Sequence, residues 1–232
     1  MIFVKLAENI SVACFAFFGG AMRYVLSQNF CAAGTLIANL CGCFLLSFIT
    51  FFVIKRAKWP SWLTTGLGTG MIGALTTFST FSFETVAFLQ QGAVLIGVLA
   101  GQLVRWPAFC GTRLRIGRKF MIITGIGAAI GALVRYNLTA FIKGKLGTNF
   151  PIATLIINLT GAFLLGIVKD TELALLVGTG ILGGYTTFST YNVELLTLIR
   201  NKAWSKACSC FVLSGIFGPV AAFLGWYLAG LC

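Results

Sequence analysis

The chain has 232 residues, of which 58% are hydrophobic and 9% are charged, and its 17 basic and five acidic residues give a net charge of +12. This composition excludes an ordinary water-soluble domain and is typical of an all-α protein that crosses a membrane several times. The cations lie in the short polar gaps between apolar runs, as in loops retained on the cytoplasmic side, so they do not indicate a nucleic-acid partner. We predict a multi-pass protein of the plasma membrane, in contact with the lipid bilayer.

The residue types also limit the chemistry. The chain has no His, a single Asp and no close pair of carboxylates, so it lacks a general acid and base. We therefore predict that it is not an enzyme. Its eight Cys residues lack the spacing of metal ligands, which argues against a metal site made of side chains.

Polar residues interrupt the first two apolar segments. The first segment, about residues 10–26, ends in Gly19-Gly20-Ala21-Met22-Arg23-Tyr24, and Arg23 is near enough to its end to snorkel or to pair. The second, about residues 34–53, carries Thr35 and Asn39 one turn apart on the same face. An Asn in such a helix needs a polar partner or a wet cavity.

The third segment, about residues 63–89, is too rich in glycine and hydroxyls for an unbroken apolar helix. Its centre reads Thr76-Thr77-Phe78-Ser79-Thr80-Phe81, and we predict two half-helices that meet there. Unwound backbone at membrane depth is tolerated only where it is buried or lines a cavity, and its free carbonyls can then bind ions. A fourth, shorter segment, about residues 92–104, is the weakest candidate for a crossing.

All three motifs recur in the second half of the chain. Arg23-Tyr24 returns as Arg135-Tyr136, 112 residues later, and Thr35 and Asn39 return as Thr154 and Asn158. The break returns 110 residues later as Thr186-Thr187-Phe188-Ser189-Thr190-Tyr191. Near-constant offsets predict a tandem duplication, with repeats at residues 1–118 and 119–232.

The positions of the cations differ between the halves. In the first half they follow the second and fourth segments, and in the second half they follow the first and third, so the positive-inside rule predicts inverted repeats. Four crossings per repeat and a short linker would instead leave the repeats parallel. Either residues 92–104 do not fully cross, or two oppositely inserting subunits have been joined, or the charge rule misleads here.

With these motifs, the chain resembles the CrcB/Fluc family of fluoride channels over nearly the full length of both halves. The resemblance implies two four-helix repeats packed as an inverted, antiparallel pair, each with a broken third helix. It also implies passive, selective export of fluoride, which reduces its toxicity in the cytoplasm, and a structural Na⁺ at the centre. The two repeats would pair with each other, without a further subunit.

The resemblance also assigns roles to residues. It places the pore along Phe78, Phe81, Asn39, Thr35, Ser79 and Thr80 of the first repeat, and along Phe188, Tyr191, Asn158, Thr154, Ser189, Thr190 and Ser214 of the second. It places Arg23 and Arg135 in vestibules, and it assigns the sodium to the main-chain carbonyls of Gly73, Thr76, Gly183 and Thr186.

Two departures from this pattern predict inequivalent pores. Tyr191 stands where the first repeat has Phe81, and the fourth segment of the first repeat has no hydroxyl like that of Ser214.

Simpler interpretations remain for several of these residues. The phenylalanines could be core packing, the asparagines could join helices, and the arginines could be interfacial anchors. The alternative function is a small inverted-repeat carrier, such as an ion-coupled or multidrug exporter.

Overall fold

The structure is a computed structural model that describes residues 6–30, 32–53, 59–90, 117–147 and 150–231. Most of these residues are helical, and they contain no β-strand. The weak fourth segment of the first half, residues 92–104, and the cations Lys55, Arg56 and Lys58 lie outside the described residues.

The first repeat contributes two continuous helices and one broken helix. Helix α1 is Leu6–Phe30, and α2 is Ala32–Phe48 followed by a π-helical turn at Ile49–Val53. The first half of the broken helix, α3, has three consecutive stretches, Ser61–Thr65, the π-helical Gly66–Ile72 and Gly73–Leu75, and the second half, α4, is Phe78–Gln90.

The second repeat follows the same plan. Helix α5 is Arg118–Leu146 and α6 is Ile152–Val168. The broken helix begins with α7, which consists of Glu172–Ala174, the π-helical Leu175–Leu182 and Gly183–Tyr185, and continues as α8, Phe188–Arg200. Helix α9, Trp204–Ala229, ends the described chain.

Five of the helical segments described are long and apolar enough to cross a membrane: Leu6–Phe30, Ala33–Phe52, Arg118–Leu146, Glu172–Arg200 and Trp204–Ala229. Helix α6 is apolar but shorter. Large apolar side chains on outer faces are exposed, as Phe44 and Phe211 show at 71% and 62%. These surfaces suit contact with lipid, and the predicted all-α, multi-pass membrane protein is confirmed.

Helices α1 and α5 pack against each other in opposite directions. Near the start of α1, the Tyr136 hydroxyl donates to Glu8 at 2.8 Å, and Asn137 donates to Asn9 at 3.0 Å. Further along α1, Gly20 lies against Ala128, which comes earlier in α5. The residue numbers rise along α1 as they fall along α5, so the two helices are antiparallel.

Contacts at the helix ends show which ends lie together. The Arg200 guanidinium, at the end of α8, lies 4.4 Å from the centre of the Phe51 ring, just after α2. Lys143, near the end of α5, pairs with Glu194 of α8 at 3.0 Å. Helices α2, α5 and α8 therefore end on the same side of the molecule, as inverted repeats require. On the opposite side, Lys169 lies 4.1 Å from the centre of the Phe83 ring of α4.

Candidate functional site at the two helix breaks

The breaks occur at the predicted threonines. Thr76 and Thr186 have extended backbone, with ψ of 149° and 156°, between half-helices. The next residue caps the following half-helix: the Thr187 side chain accepts from the Thr190 amide at 3.3 Å, and Thr77 accepts from the Thr80 amide at 3.4 Å. The threonine pairs therefore end one half-helix and begin the next.

Asn39 and Asn158 satisfy the main chain at the breaks. The Asn39 amide accepts from the Thr77 N–H at 2.9 Å and donates to the Thr77 carbonyl at 3.1 Å. Asn158 makes the same two bonds to Thr187, both at 3.0 Å. Both asparagines are 1% exposed. Their amides replace the main-chain partners that an unbroken helix would supply.

Hydroxyl groups join the two breaks to each other. The Thr76 hydroxyl lies 3.0 Å from that of Ser189 and also accepts from the Ser189 amide at 3.2 Å. Thr186 and Ser79 make the matching contacts at 3.0 and 3.3 Å. Each break thus contributes a hydroxyl to the start of the other repeat's half-helix, so Ser79 and Ser189 lie at the contact between repeats.

Arg23 and Arg135 also connect the repeats. Arg23 donates to the carbonyls of Thr179, at 2.6 Å, and of Gly183. Arg135 makes the equivalent bonds to Thr69 at 2.5 Å and Gly73 at 3.0 Å. The carbonyls of Thr69 and Thr179 belong to the π-helical turns.

Both arginine side chains are buried, at 4% and 3% exposure, and they donate to carbonyls near the breaks. The structure therefore places them in the interior, away from the position of an interfacial anchor, and their vestibule role stays a prediction.

The carbonyls predicted to bind sodium lie in the same region. Those of Gly73 and Thr186, from different repeats, are 3.0 and 3.4 Å from the same Arg135 nitrogen, so they converge. A carbonyl has two lone pairs, so one remains beside each hydrogen bond. Oxygen donors of this kind suit Na⁺, but the guanidinium groups place positive charge beside them. The oxygen donors of these residues therefore suit Na⁺. The neighbouring guanidinium groups repel the cation, so its binding must overcome that repulsion.

Four aromatic rings cluster beside the joined breaks. The Phe81 and Phe188 ring centres are 5.3 Å apart, those of Phe78 and Tyr191 are 6.0 Å apart, and Phe78 and Phe188 are stacked at 6.4 Å. Phe78 is 2% exposed and Tyr191 is 7% exposed, while the other two rings are half-buried. The structure thus brings all four predicted rings together.

Helix α9 adds polar groups to two of these rings. Ser214, 2% exposed, is a side-chain hydrogen-bond partner of Tyr191. Gly218 lies against the Phe78 ring and the Ser82 hydroxyl, where an added Cβ would come within 2.9 Å of both. We call Phe78, Ser82, Tyr191, Ser214 and Gly218 the α9 cluster. It brings residues of both repeats together.

The other predicted hydroxyls are those of Thr35, Thr154, Thr80 and Thr190. Thr35 donates to Glu84 at 3.0 Å, and both are buried. Thr154 is 4% exposed on α6, and Thr80 and Thr190 are half-buried in the first turns of α4 and α8. Thr35 lies one helical turn before Asn39 on α2, so the structure separates it from the ring cluster.

Two residues of the α9 cluster, Ser82 and Gly218, were not predicted from the sequence. Ser82 is fully buried, and its hydroxyl has no hydrogen-bond partner among the described residues. Gly218 makes the space beside it. The Ser82 position does not repeat, since Asn192 stands 110 residues later, so the duplication gave no signal for it. The spacing of Ser214 and Gly218, one helical turn apart, was an available signal.

These features define an all-α membrane protein whose interior is organised around two joined helix breaks. A family model described as "CrcB-like protein, Camphor Resistance (CrcB)" matches residues 10–113 and again residues 122–226. The chain therefore belongs to the CrcB family. The boundary between residues 118 and 119 stays a prediction.

Similar proteins match about half of the chain. The fluoride-specific ion channel FluC 2 of Ligilactobacillus salivarius (strain UCC118) is 54% identical over 107 residues, which cover 44% of this chain and 83% of that protein. FluC 1 of the same strain is 46% identical over 115 residues, covering 48% of this chain and all of that protein. FluC 1 of Listeria monocytogenes serotype 4b (strain F2365) is 44% identical over 111 residues, covering 46% and 94%. No solved structure matches the chain.

Proposed function

We propose that this protein is a fluoride-selective channel that exports fluoride passively across the plasma membrane. The observation that carries the proposal is the α9 cluster, where aromatic rings and neutral hydroxyls meet without a charged side chain. The ring edge is electropositive, so it attracts an anion weakly. Weak, successive sites let an ion replace its hydration shell and still leave.

The similar proteins support fluoride as the ion, because their names describe fluoride-specific ion channels. We propose that the two repeats pair as an inverted dimer within one chain, since the interior contacts are reciprocal between them. No other subunit is then needed to complete the interior. Export of fluoride by this route would reduce its toxicity in the cytoplasm.

Purified protein in liposomes loaded with potassium fluoride tests this function. Fluoride efflux, followed with a fluoride electrode, should begin when a potassium ionophore is added, because a passive channel needs only a balancing charge. Liposomes without protein are the control. Chloride efflux at a comparable rate would contradict the proposed selectivity.

The second candidate is an ion-coupled exporter, and buried Glu84 is the observation that favours it. Such a carrier couples transport to protons through a carboxylate inside the membrane, and Glu84 is 7% exposed. The same liposomes separate the two functions. A coupled exporter would show fluoride movement only with a proton gradient, whereas a channel conducts with the potassium ionophore alone.

We further propose that sodium binds at the carbonyls of Gly73, Thr76, Gly183 and Thr186. The approach of the Gly73 and Thr186 carbonyls, from different repeats, to one Arg135 nitrogen supports this site. When bound, the ion would supply positive charge that holds the breaks together. A saturable rise of the melting temperature with NaCl, compared with choline chloride at equal ionic strength, is expected. Identical melting in both salts would contradict sodium binding.

A further inference from the structure

A cavity of about 490 Å³ opens on the side where α5 and α8 end and where α6 and α9 begin. Its polar lining comes from Lys143, Glu194, Thr197, Asn201 and Lys206, and Phe150 and Leu198 contribute apolar surface. A water molecule occupies about 30 Å³ in the liquid, so the cavity has room for a small ion together with on the order of ten waters.

The cavity lies at the end of the α9 cluster. On α9, Lys206, Cys210 and Ser214 follow one another at intervals of four residues and share one face of the helix. On α8, Glu194 comes one turn after Tyr191. Cys210 is 1% exposed and packs with Tyr191 and Leu198. The same two helices therefore form the wall of the cavity and the wall of the cluster.

The charges in the cavity favour an anion. Lys143 pairs with Glu194 at 3.0 Å, and the Glu194 side chain is 19% exposed. The second carboxylate oxygen of Glu194 is buried and has no hydrogen-bond partner among the described residues. Because Lys143 neutralises this carboxylate, exposed Lys206 leaves the lining with a net positive charge.

The matching carboxylate of the first repeat has different partners among the described residues. Glu84, which corresponds to Glu194, accepts from the Thr35 hydroxyl at 3.0 Å, and no ion pair to it occurs among the described residues. At the offset of 110 shared by the breaks, Ile96 stands where the second repeat has Lys206. Among the described residues, the basic cavity lies in the second repeat.

We propose that this cavity is an antechamber for small monovalent anions, in which Lys206 attracts the ion and Lys143 holds Glu194 neutralised. The inference rests on the proposed channel function, which makes fluoride the anion. This side carries more of the described cations, Lys143, Lys145, Arg200, Lys202 and Lys206, than the other, which has Arg118, Lys119 and Lys169, so by the positive-inside rule it faces the cytoplasm. The antechamber then collects fluoride on the side from which it is exported.

The test compares charge-matched variants in fluoride efflux from phosphatidylcholine liposomes at low ionic strength. K143Q leaves Glu194 as an unpaired negative charge at the mouth, and we expect flux to fall about tenfold or more. K145Q is the matched control: Lys145 lies on the same helix, against the Phe141 ring, outside the cavity lining. It should retain nearly the wild-type flux.

The double variant K143Q/E194Q separates a charge effect from loss of structure. Removing both charges should restore much of the flux lost in K143Q. Equal flux in K143Q and K145Q would overturn the inference, and so would a double variant as impaired as K143Q. Absence of fluoride efflux from the wild-type protein would instead contradict the proposed function itself.

K206Q tests the attraction of the ion. Its flux should fall at low ionic strength and approach the wild-type value as salt rises to about 1 M, where screening acts over about 3 Å. A loss independent of salt would overturn this role. A loss seen only in liposomes with anionic lipid would assign Lys206 to lipid phosphate and overturn the antechamber.

Discussion

Asn39 and Asn158 each replace two main-chain partners where a membrane helix is broken. A buried N–H or C=O without a partner is costly in the absence of water, so each amide allows the break beside it to exist. This role explains why the asparagine must lie near the break threonines. An ion passing here would have to compete with the Thr77 and Thr187 main chain for these amides.

Asn39→Ala and Asn158→Ala should each destabilise the protein. Each change leaves a buried N–H and C=O unpaired, at about 1–3 kcal/mol per group. Melting of the purified protein in detergent measures the effect. Asn29→Ala is the control, because Asn29 is exposed and, among the described residues, donates to Val25 of its own helix at 2.8 Å. Equal melting temperatures for all three variants would contradict the role of the asparagines.

Phe78→Ile and Phe188→Ile should reduce fluoride flux unequally. Phe78 belongs to the α9 cluster, beside Ser82 and Gly218, whereas Phe188 is half-buried and lies 5.3 Å from Phe81. We expect Phe78→Ile to remove most of the flux and Phe188→Ile to leave much of it. Initial efflux rates from liposomes with equal protein measure this. If each variant lost about half of the flux, the two paths would be equivalent.

At the scale of helices, glycines set how closely the half-helices approach the first helix of each repeat. A Cβ at Gly131 of α5 would overlap the Ile181 carbonyl in the π-helical turn of α7. Gly19 has the same relation to Met71 in the first repeat. These contacts hold the broken helices where the arginines can reach their carbonyls.

Gly131→Ala and Gly144→Ala should have opposite effects on stability. At Gly131 the added methyl group meets main chain that cannot easily move, so we expect a loss of about 1–3 kcal/mol. Gly144, on the same helix, has no heavy atom within 4 Å of an added Cβ, so alanine's helix propensity should contribute up to about 1 kcal/mol. Thermal melting of the two purified variants measures both effects. A Gly131→Ala variant as stable as the wild-type protein would show that α5 and α7 can separate.

The sequence predicted the broken helices well because their signal is local. Hydroxyls and glycines in an apolar segment are costly unless the helix is interrupted, and the second copy repeats the pattern. The arginine contacts could not be predicted in this way. Most of the carbonyls that accept from Arg23 and Arg135 belong to the other repeat, so they come within reach only when the two repeats pack together. Ser82 was missed because only its position beside Gly218 distinguishes it from other serines.

At the scale of the whole molecule, duplication within one chain allows the two halves to diverge. Two identical subunits would place the same residue at both positions of every pair. Here Tyr191 corresponds to Phe81, Asn192 to Ser82, and Lys206 to Ile96. The joined breaks keep matching contacts in both repeats, while the residues nearer the path and its mouth differ. The contacts at the joined breaks are thus the same in both repeats because they hold the structure together. The residues along the two ion paths can differ.

Labelling from each side of the membrane tests the orientation of the halves. We expect single cysteines replacing Lys58 and Lys145, in a background without the eight native cysteines, to react from the same side of intact cells. A cysteine replacing Glu172, at the start of α7, should react from the opposite side, because Lys169 and α7 lie opposite the end of α8. A membrane-impermeant maleimide applied before and after lysis measures this, and retained fluoride efflux confirms that each variant is folded. Cysteines at 58 and 145 that react from opposite sides would mean parallel repeats, and the contact between Arg200 and Phe51 could then not form in the membrane.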